Sequence, residues 1–229
     1  NLVNQENIIQ WVYNHIRTSQ AITSQTTSYR FEYVSTLILC CLSTIQEART
    51  NFIKNDMPYF LKDRLTSLKG DNKRQQLVLR LLEAFSFHED VLAQYVKTKY
   101  FMDELFDVVF DSNLLPILRT KAMLIIRNLA SVNSHIVHFT NRISDLQGLM
   151  EEFISVDEDS FDNDLLLECR VYAISLMRAL LFNGKSQSIR NAPELSLSHR
   201  FQSINLQWCA LYSHIYSHDK ENHDEHIKR

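Results

Sequence analysis

Histidine, cysteine and clustered carboxylates are the residues here best able to transfer protons or hold a metal, and their spacing decides what they do. The most enzyme-like cluster is His88-Glu89-Asp90, an imidazole beside two carboxylates that could relay a proton. It falls where one apolar-periodic segment hands over to the next, and carboxylates in a first helical turn are ordinary dipole and capping chemistry. That is the role expected of it. His135 and His138 stand at i and i+3, and His214, His218, His223 and His226 crowd the C-terminal stretch. Two ligands on one helix do not complete a tetrahedral site, and no cysteine pair stands near them in the chain. Cys40, Cys41, Cys169 and Cys209 include an adjacent pair but no CxxC. All four lie in apolar-periodic segments, so reduced, buried thiols of a cytosolic or nuclear chain are expected.

Other chemistries need motifs that the chain lacks. The three glycines, Gly70, Gly148 and Gly184, are isolated, so neither a P-loop nor a GxGxxG turn can form. GxSxG and HExxH are also missing. The acidic run from Ser155 to Asp164, S-V-D-E-D-S-F-D-N-D, imitates a calcium loop if Asp157 takes position one, with Asp159, Asn163 and Glu168 at three, seven and twelve. Phe161 at five and Asp162 at six spoil it, because position six needs glycine for the sharp turn. Ser155 and Ser160, each followed by carboxylates, suit an acid-preferring kinase. No catalytic residue, metal or cofactor is expected.

Lys62, Arg64, Lys69, Lys73, Arg74 and Arg80 cluster across one junction between segments, which makes a nucleic-acid-binding helical array the alternative reading. A net charge of −3 gives phosphate no long-range attraction, and no aromatic residues interleave the patch for base stacking. Nucleic acid is therefore not the expected partner.

The elements that carry these residues repeat. Leu42, Phe85, Leu129 and Leu180 lie 43, 44 and 51 residues apart, and each ends one copy of a helical stripe. The positions seven, four and three residues earlier are Ser35/Ile38/Leu39, Val78/Leu81/Leu82, Ala122/Ile125/Ile126 and Ala173/Leu176/Met177, the spacing of a helix buried on one side. An aromatic follows three of these anchors by ten residues, at Phe52, Tyr95 and Phe139. Outer helices are expected at about 57–68, 101–110 and 144–154, with Pro58 near the start of one and Pro116 opening an inner helix. Only three glycines and three prolines suit long helices with short connections rather than a β-sandwich.

A helical period in the forties is that of armadillo and HEAT arrays. The fold class expected is all-α, a right-handed α-solenoid of armadillo/HEAT-like repeats closed by a C-terminal capping helix over about 198–216. One repeat domain spans 1–216, with a charged tail over 217–229. The helix over about 6–19 takes the place of an outer helix, so the array opens mid-repeat and the sequence is expected to be a piece of a longer protein. Residues 18–28, rich in Ser, Thr and Gln, read as a linker. The excess length between the last two anchors maps onto the acidic loop. The core should include Ile38, Leu42, Phe52, Leu81, Phe85, Tyr95, Ile125, Leu129, Phe139, Leu176 and Leu180.

Lys121 to Phe139, K-A-M-L-I-I-R-N-L-A-S-V-N-S-H-I-V-H-F, resembles an armadillo repeat, with its N-L-A helix end, polar turn and short helix. Nuclear-import armadillo receptors hold basic peptides with a ladder of asparagines just before the anchor. Here those positions are Cys41, Ala84, Asn128 and Ala179; one rung matches, and nuclear-signal binding is not expected. Met123 to Ala130, and Ala179 to Lys185 followed by Ala192-Pro193-Glu194-Leu195, are similar to the C-terminal end of rotatin-family proteins of the centriole and basal body. The similarity covers about a third of the chain. It implies a non-catalytic scaffold in centriole assembly or integrity, located at the centriole, centrosome or basal body of the cilium.

From the residues alone, a protein-interaction scaffold without turnover is expected, cytoplasmic by its reduced cysteines, and without a membrane-spanning helix, since no apolar run approaches the ~20 residues that span a bilayer. Its groove should be lined by the row eight, five and one residues before each anchor, Val34/Leu37/Cys41, Leu77/Arg80/Ala84, Lys121/Leu124/Asn128 and Tyr172/Ser175/Ala179. Leu77, Arg80, Lys121, Leu124, Asn128 and Tyr172 are the candidate partner-binding residues. Arg80 and Lys121 would be fixed charges that orient an amphipathic helix or peptide with an acidic edge.

Overall fold

A computed structural model of the chain describes residues 5–18, 25–154 and 164–182. These residues are helical and contain no strand. In chain order the elements are α1 (Gln5–Thr18), α2 (Gln25–Leu42), α3 (Gln46–Lys54), α4 (Met57–Ser67), α5 (Asn72–Phe85), α6 (Glu89–Lys97), α7 (Phe101–Phe110), α8 (Pro116–Ser131), a 3-10 helix (Asn133–Phe139), α9 (Ile143–Leu149) running into a π-helical turn (Met150–Ile154), and α10 (Asp164–Phe182). All four apolar stripes thus end their helix at or within two residues of the anchor, and the outer helices begin within a residue of their expected starts. Residues 25–28, expected in a linker, belong instead to α2. The acidic loop through residue 163, the capping helix, the tail, Cys209 and the four C-terminal histidines lie outside the described residues.

Like elements of successive units pack together. The anchor helices stack α2 on α5, α5 on α8 and α8 on α10, the short helices α3 on α6 and α6 on the 3-10 helix, and the outer helices α4 on α7. Helix α1 packs on α2 as α4 packs on α5 and α7 on α8, which is the outer-helix place its register predicts.

Nine of the eleven expected core residues are buried, and the repeated aromatics are central to them. Phe52 stacks on Phe85 with ring centroids 4.1 Å apart, and Tyr95 on Phe101 at 4.5 Å. Edge contacts at 6.3 Å to Tyr13 and 6.4 Å to Tyr95 place Phe52 at the crossing point of α1, α3, α5 and α6. Burying these rings costs their hydroxyls nothing, because each finds a carbonyl: Tyr13 donates to Ala48 and Tyr95 to Leu82, both at 2.9 Å. Burial pushes both phenols far above their ordinary range. Ile38 and Leu42 are the exceptions, half-buried at the margin of the core. Among the described elements α2 has an anchor helix on one side only, whereas α5 and α8 have one on both.

The units also share details at their joints. Ser43, Ser86 and Ser131 close the three anchor helices in the same way, each hydroxyl donating three residues back, to Cys40, Glu83 and Asn128, at 2.7–2.8 Å. Asp56 and Tyr100, the residues that open α4 and α7, both adopt left-handed backbone, with φ of 51° and 61°. The third unit departs: Arg142 opens α9 with φ of −117°. Gly148 lies within α9 because Phe110 is against it; a Cβ there would stand 3.1 Å from the ring.

Candidate interaction surface on the anchor helices

The six candidate residues fall on α5, α8 and α10, which stack in that order, and the structure divides them. Arg80 is exposed, and Lys121, Leu124 and Tyr172 are half-buried. Leu77 and Asn128 do not line an open groove: they are 6% and 3% exposed. Leu77 turns instead toward a small cavity between α1, α2, α4 and α5. The reason is stacking on two sides. A helix with a neighbour before and after it buries a wider arc than the one-sided stripe assumes, so the row before each anchor is partly consumed by the next unit.

Asn128, the one residue matching the armadillo ladder, is spent on that contact. Its amide nitrogen donates to Ser86 Oγ at 2.9 Å, tying α8 to the end of α5, and its oxygen accepts from Arg127 at 3.0 Å. At 3% exposure it does not present its amide to a peptide backbone. Lys121 is likewise not a free orienting charge, since it is ion-paired with Glu83 of α5. Glu83 escaped the sequence reading. It lies three residues beyond Arg80, on the same helical face, and that i, i+3 relation was the available signal. The same joint holds Tyr172, whose hydroxyl is pushed above the ordinary phenol range by burial and then by the nearby Glu168 and Glu83 carboxylates. Arg127 reaches across to Ser175 Oγ at 3.3 Å. The surface at α5, α8 and α10 is therefore shallow and polar-edged, with Arg80 as its exposed cation and Leu124 as its apolar centre.

Further along the stack, Cys40 donates to the carbonyl of Arg80 at 3.7 Å. Burial pushes its thiol up to about 11. Cys169, fully buried, is pushed up to about 12 by burial. Cys41 is exposed, contrary to the expectation of uniform burial. It shares α2 with Phe31, Tyr33 and Val34, which are also at the surface.

The structure divides the basic cluster. Arg64 and Lys62 are buried, Arg64 pairing with Glu32 at 2.6 Å and Lys62 with Asp63 at 2.6 Å while lying over the Tyr59 ring. Arg74 shares Glu32 at 3.4 Å and reaches Asp71 at 3.5 Å. Half of the six cations are thus neutralised inside the fold, and Lys69, Lys73 and Arg80 are the exposed ones. In the His88 cluster, His88 is the residue before α6 and its side chain makes no capping hydrogen bond, while Glu89 and Asp90 are in the first turn, where Asp90 accepts from the Val91 amide at 3.0 Å. Asp90 also accepts from Arg49 at 3.2 Å and Gln46 at 3.3 Å, fastening α6 to α3. His135 and His138 sit on the 3-10 helix with ring centroids 6.5 Å apart. Among the described residues no group of three or more metal-ligating side chains converges, and no helix is long and apolar enough to cross a membrane.

No protein-family model matches the sequence, and no curated protein or solved structure is significantly similar to it.

Proposed function

We propose that the chain is a right-handed α-solenoid of armadillo/HEAT-like repeats that works as a non-catalytic protein-interaction scaffold. From its resemblance to rotatin-family proteins, we place that work in centriole or basal-body assembly. The observation that carries the scaffold reading is the order of packing, anchor helix on anchor helix and outer helix on outer helix in adjacent units. Units that bury their apolar faces on neighbours offer an extended surface rather than an enclosed site, and such surfaces bind helices and peptides. The partner surface is the shallow face around Arg80, Lys121, Leu124 and Tyr172, and its occupant is an amphipathic helix or peptide with an acidic edge that meets Arg80.

A photo-crosslinking residue at position 80 or 172 should capture a discrete protein partner that the same probe at exposed position 59, on α4, does not. Arg80→Glu combined with Tyr172→Ala should abolish capture and centriolar recruitment while leaving the helical circular-dichroism signal and thermal midpoint near wild type. A folded double variant that still captures the partner and reaches the centriole would sink the reading of this face.

A further inference from the structure

A cleft of about 80 Å³ opens on the other side of the stack, between the α4–α5 turn and α7. That is several times the roughly 10–15 Å³ that one water needs. One wall is apolar, from Leu65, Val108 and Leu114; the opposite chemistry is acidic, from Glu104, Asp107 and Asp111, with Lys69 at the margin. The three carboxylates stand at i, i+3 and i+7 along α7 and its end, so a single helical face presents them. None of them forms an ion pair with a described residue. The Asp111 carboxylate accepts from the neighbouring Asn113, at 2.9 and 3.2 Å.

A second, separate feature points the same way. Gln75, 2% exposed, forms part of the cleft wall. Its Nε2 reaches the Leu65 carbonyl at a long 3.5 Å, and its buried Oε1 has no hydrogen-bond partner. Buried carbonyl oxygens are nearly always satisfied, so one left without a donor beside a cleft marks where a donor belongs.

We propose that this cleft is a socket for a lysine or arginine side chain of a protein segment. Apart from Lys69 and the Gln75 amide nitrogen, which is turned to the Leu65 carbonyl, the polar side-chain groups that line it are acceptors, and an ammonium or guanidinium brings three or five donors and no acceptor. The apolar wall suits the methylene stem that such a side chain lays along hydrocarbon while its head stays among carboxylates. A bare divalent ion would need oxygens converging to metal distances, and the described residues contain no such group. The socket is on the α4, α5 and α7 side and does not depend on the face around Arg80.

Titration of the isotope-labelled full chain with acetyl-lysine methylamide and acetyl-arginine methylamide, followed by amide chemical shifts, tests this. Saturable shifts should centre on Gly70, Gln75, Val108 and Asp111, and acetyl-norleucine methylamide, which keeps the stem without the charge, should produce none. Asp107→Asn with Asp111→Asn should weaken the response at least several-fold, and Arg80→Glu should leave it unchanged. Shifts no larger than those with norleucine would overturn the proposal. So would a response to calcium chloride alone, which would make the cleft a metal site. A response that appears only in Lys69→Ala would identify the chain's own Lys69 as the occupant and would overturn it equally.

Discussion

Removing the Glu32 carboxylate would leave Arg64, 5% exposed, and the half-buried Arg74 without their shared counter-charge. Breaking a buried pair from one side typically costs about 3–5 kcal/mol, because the remaining charge stays desolvated. Glu32→Ala should therefore lower the unfolding free energy by that order in urea titration, and Arg64→Met together with Glu32→Leu should recover much of it. Neutral bonds are smaller stakes. Tyr95→Phe removes one buried hydroxyl bond to Leu82 and should cost about 1 kcal/mol, against about 2–5 kcal/mol for Leu129→Ala, whose side chain is fully enclosed. His135 sets an acid limit. Burial first, and then the neighbouring His138, hold its imidazole below the ordinary value of 6.5. The unfolded chain therefore binds this proton more readily than the native one. The stability it contributes is complete above 6.5 and is lost as pH falls from there through the lower native value. His135→Phe should flatten that part of the stability profile, as read from thermal midpoints between pH 7 and pH 5; an unchanged slope would assign the acid sensitivity to another group.

At the scale of elements, the left-handed residues that open α4 and α7 are the sharpest test of unit equivalence. A non-glycine residue in that conformation costs roughly 1–2 kcal/mol, and glycine relieves it at an entropic cost of about 0.5–1 kcal/mol. Tyr100→Gly should be neutral or stabilising by up to about 1 kcal/mol, and Asp56→Gly closer to neutral, since aspartate tolerates this region better. Arg142→Gly should destabilise, because its backbone needs no relief and it bridges Asp103 at 2.7 Å and Asp145 at 3.3 Å. Chemical denaturation of the three variants separates these outcomes. Element order and boundaries were legible from apolar spacing because that signal is local: Phe52, Tyr95 and Phe139 sit ten residues past their anchors whatever lies beyond. What spacing could not show was how much of each anchor helix its neighbours cover. Leu77 and Asn128 are buried by contacts with other units, and the Lys121–Glu83 pair joins residues 38 apart. The acidic stripe of Glu104, Asp107 and Asp111 was present in the sequence but unread, since its meaning depends on Gln75 lying beside it.

For the molecule as a whole, helix α8 has the most demanding position. It packs against α5, α7 and α10, and from Ile117 to Ala130 no residue is exposed. Leu118, Met123, Ile125, Ile126 and Leu129 are all covered, and so are Arg119, Thr120 and Asn128 among them. A ribosome makes this helix before it makes its lid. The end of α10 lies about fifty residues beyond the end of α8, and at ~5–20 residues per second that separation lasts roughly 3–10 s. Through those seconds α5, α6, α7 and the 3-10 helix cover α8, while the apolar side chains that α10 will bury stay bare. Nascent chains stalled with Ile154 just outside the exit tunnel should cross-link strongly to general chaperones, and chains stalled beyond Phe182 should not. Codons slowed between Asp164 and Phe182 would lengthen the same interval, so the yield of soluble protein is tied to translation speed over one short stretch of message.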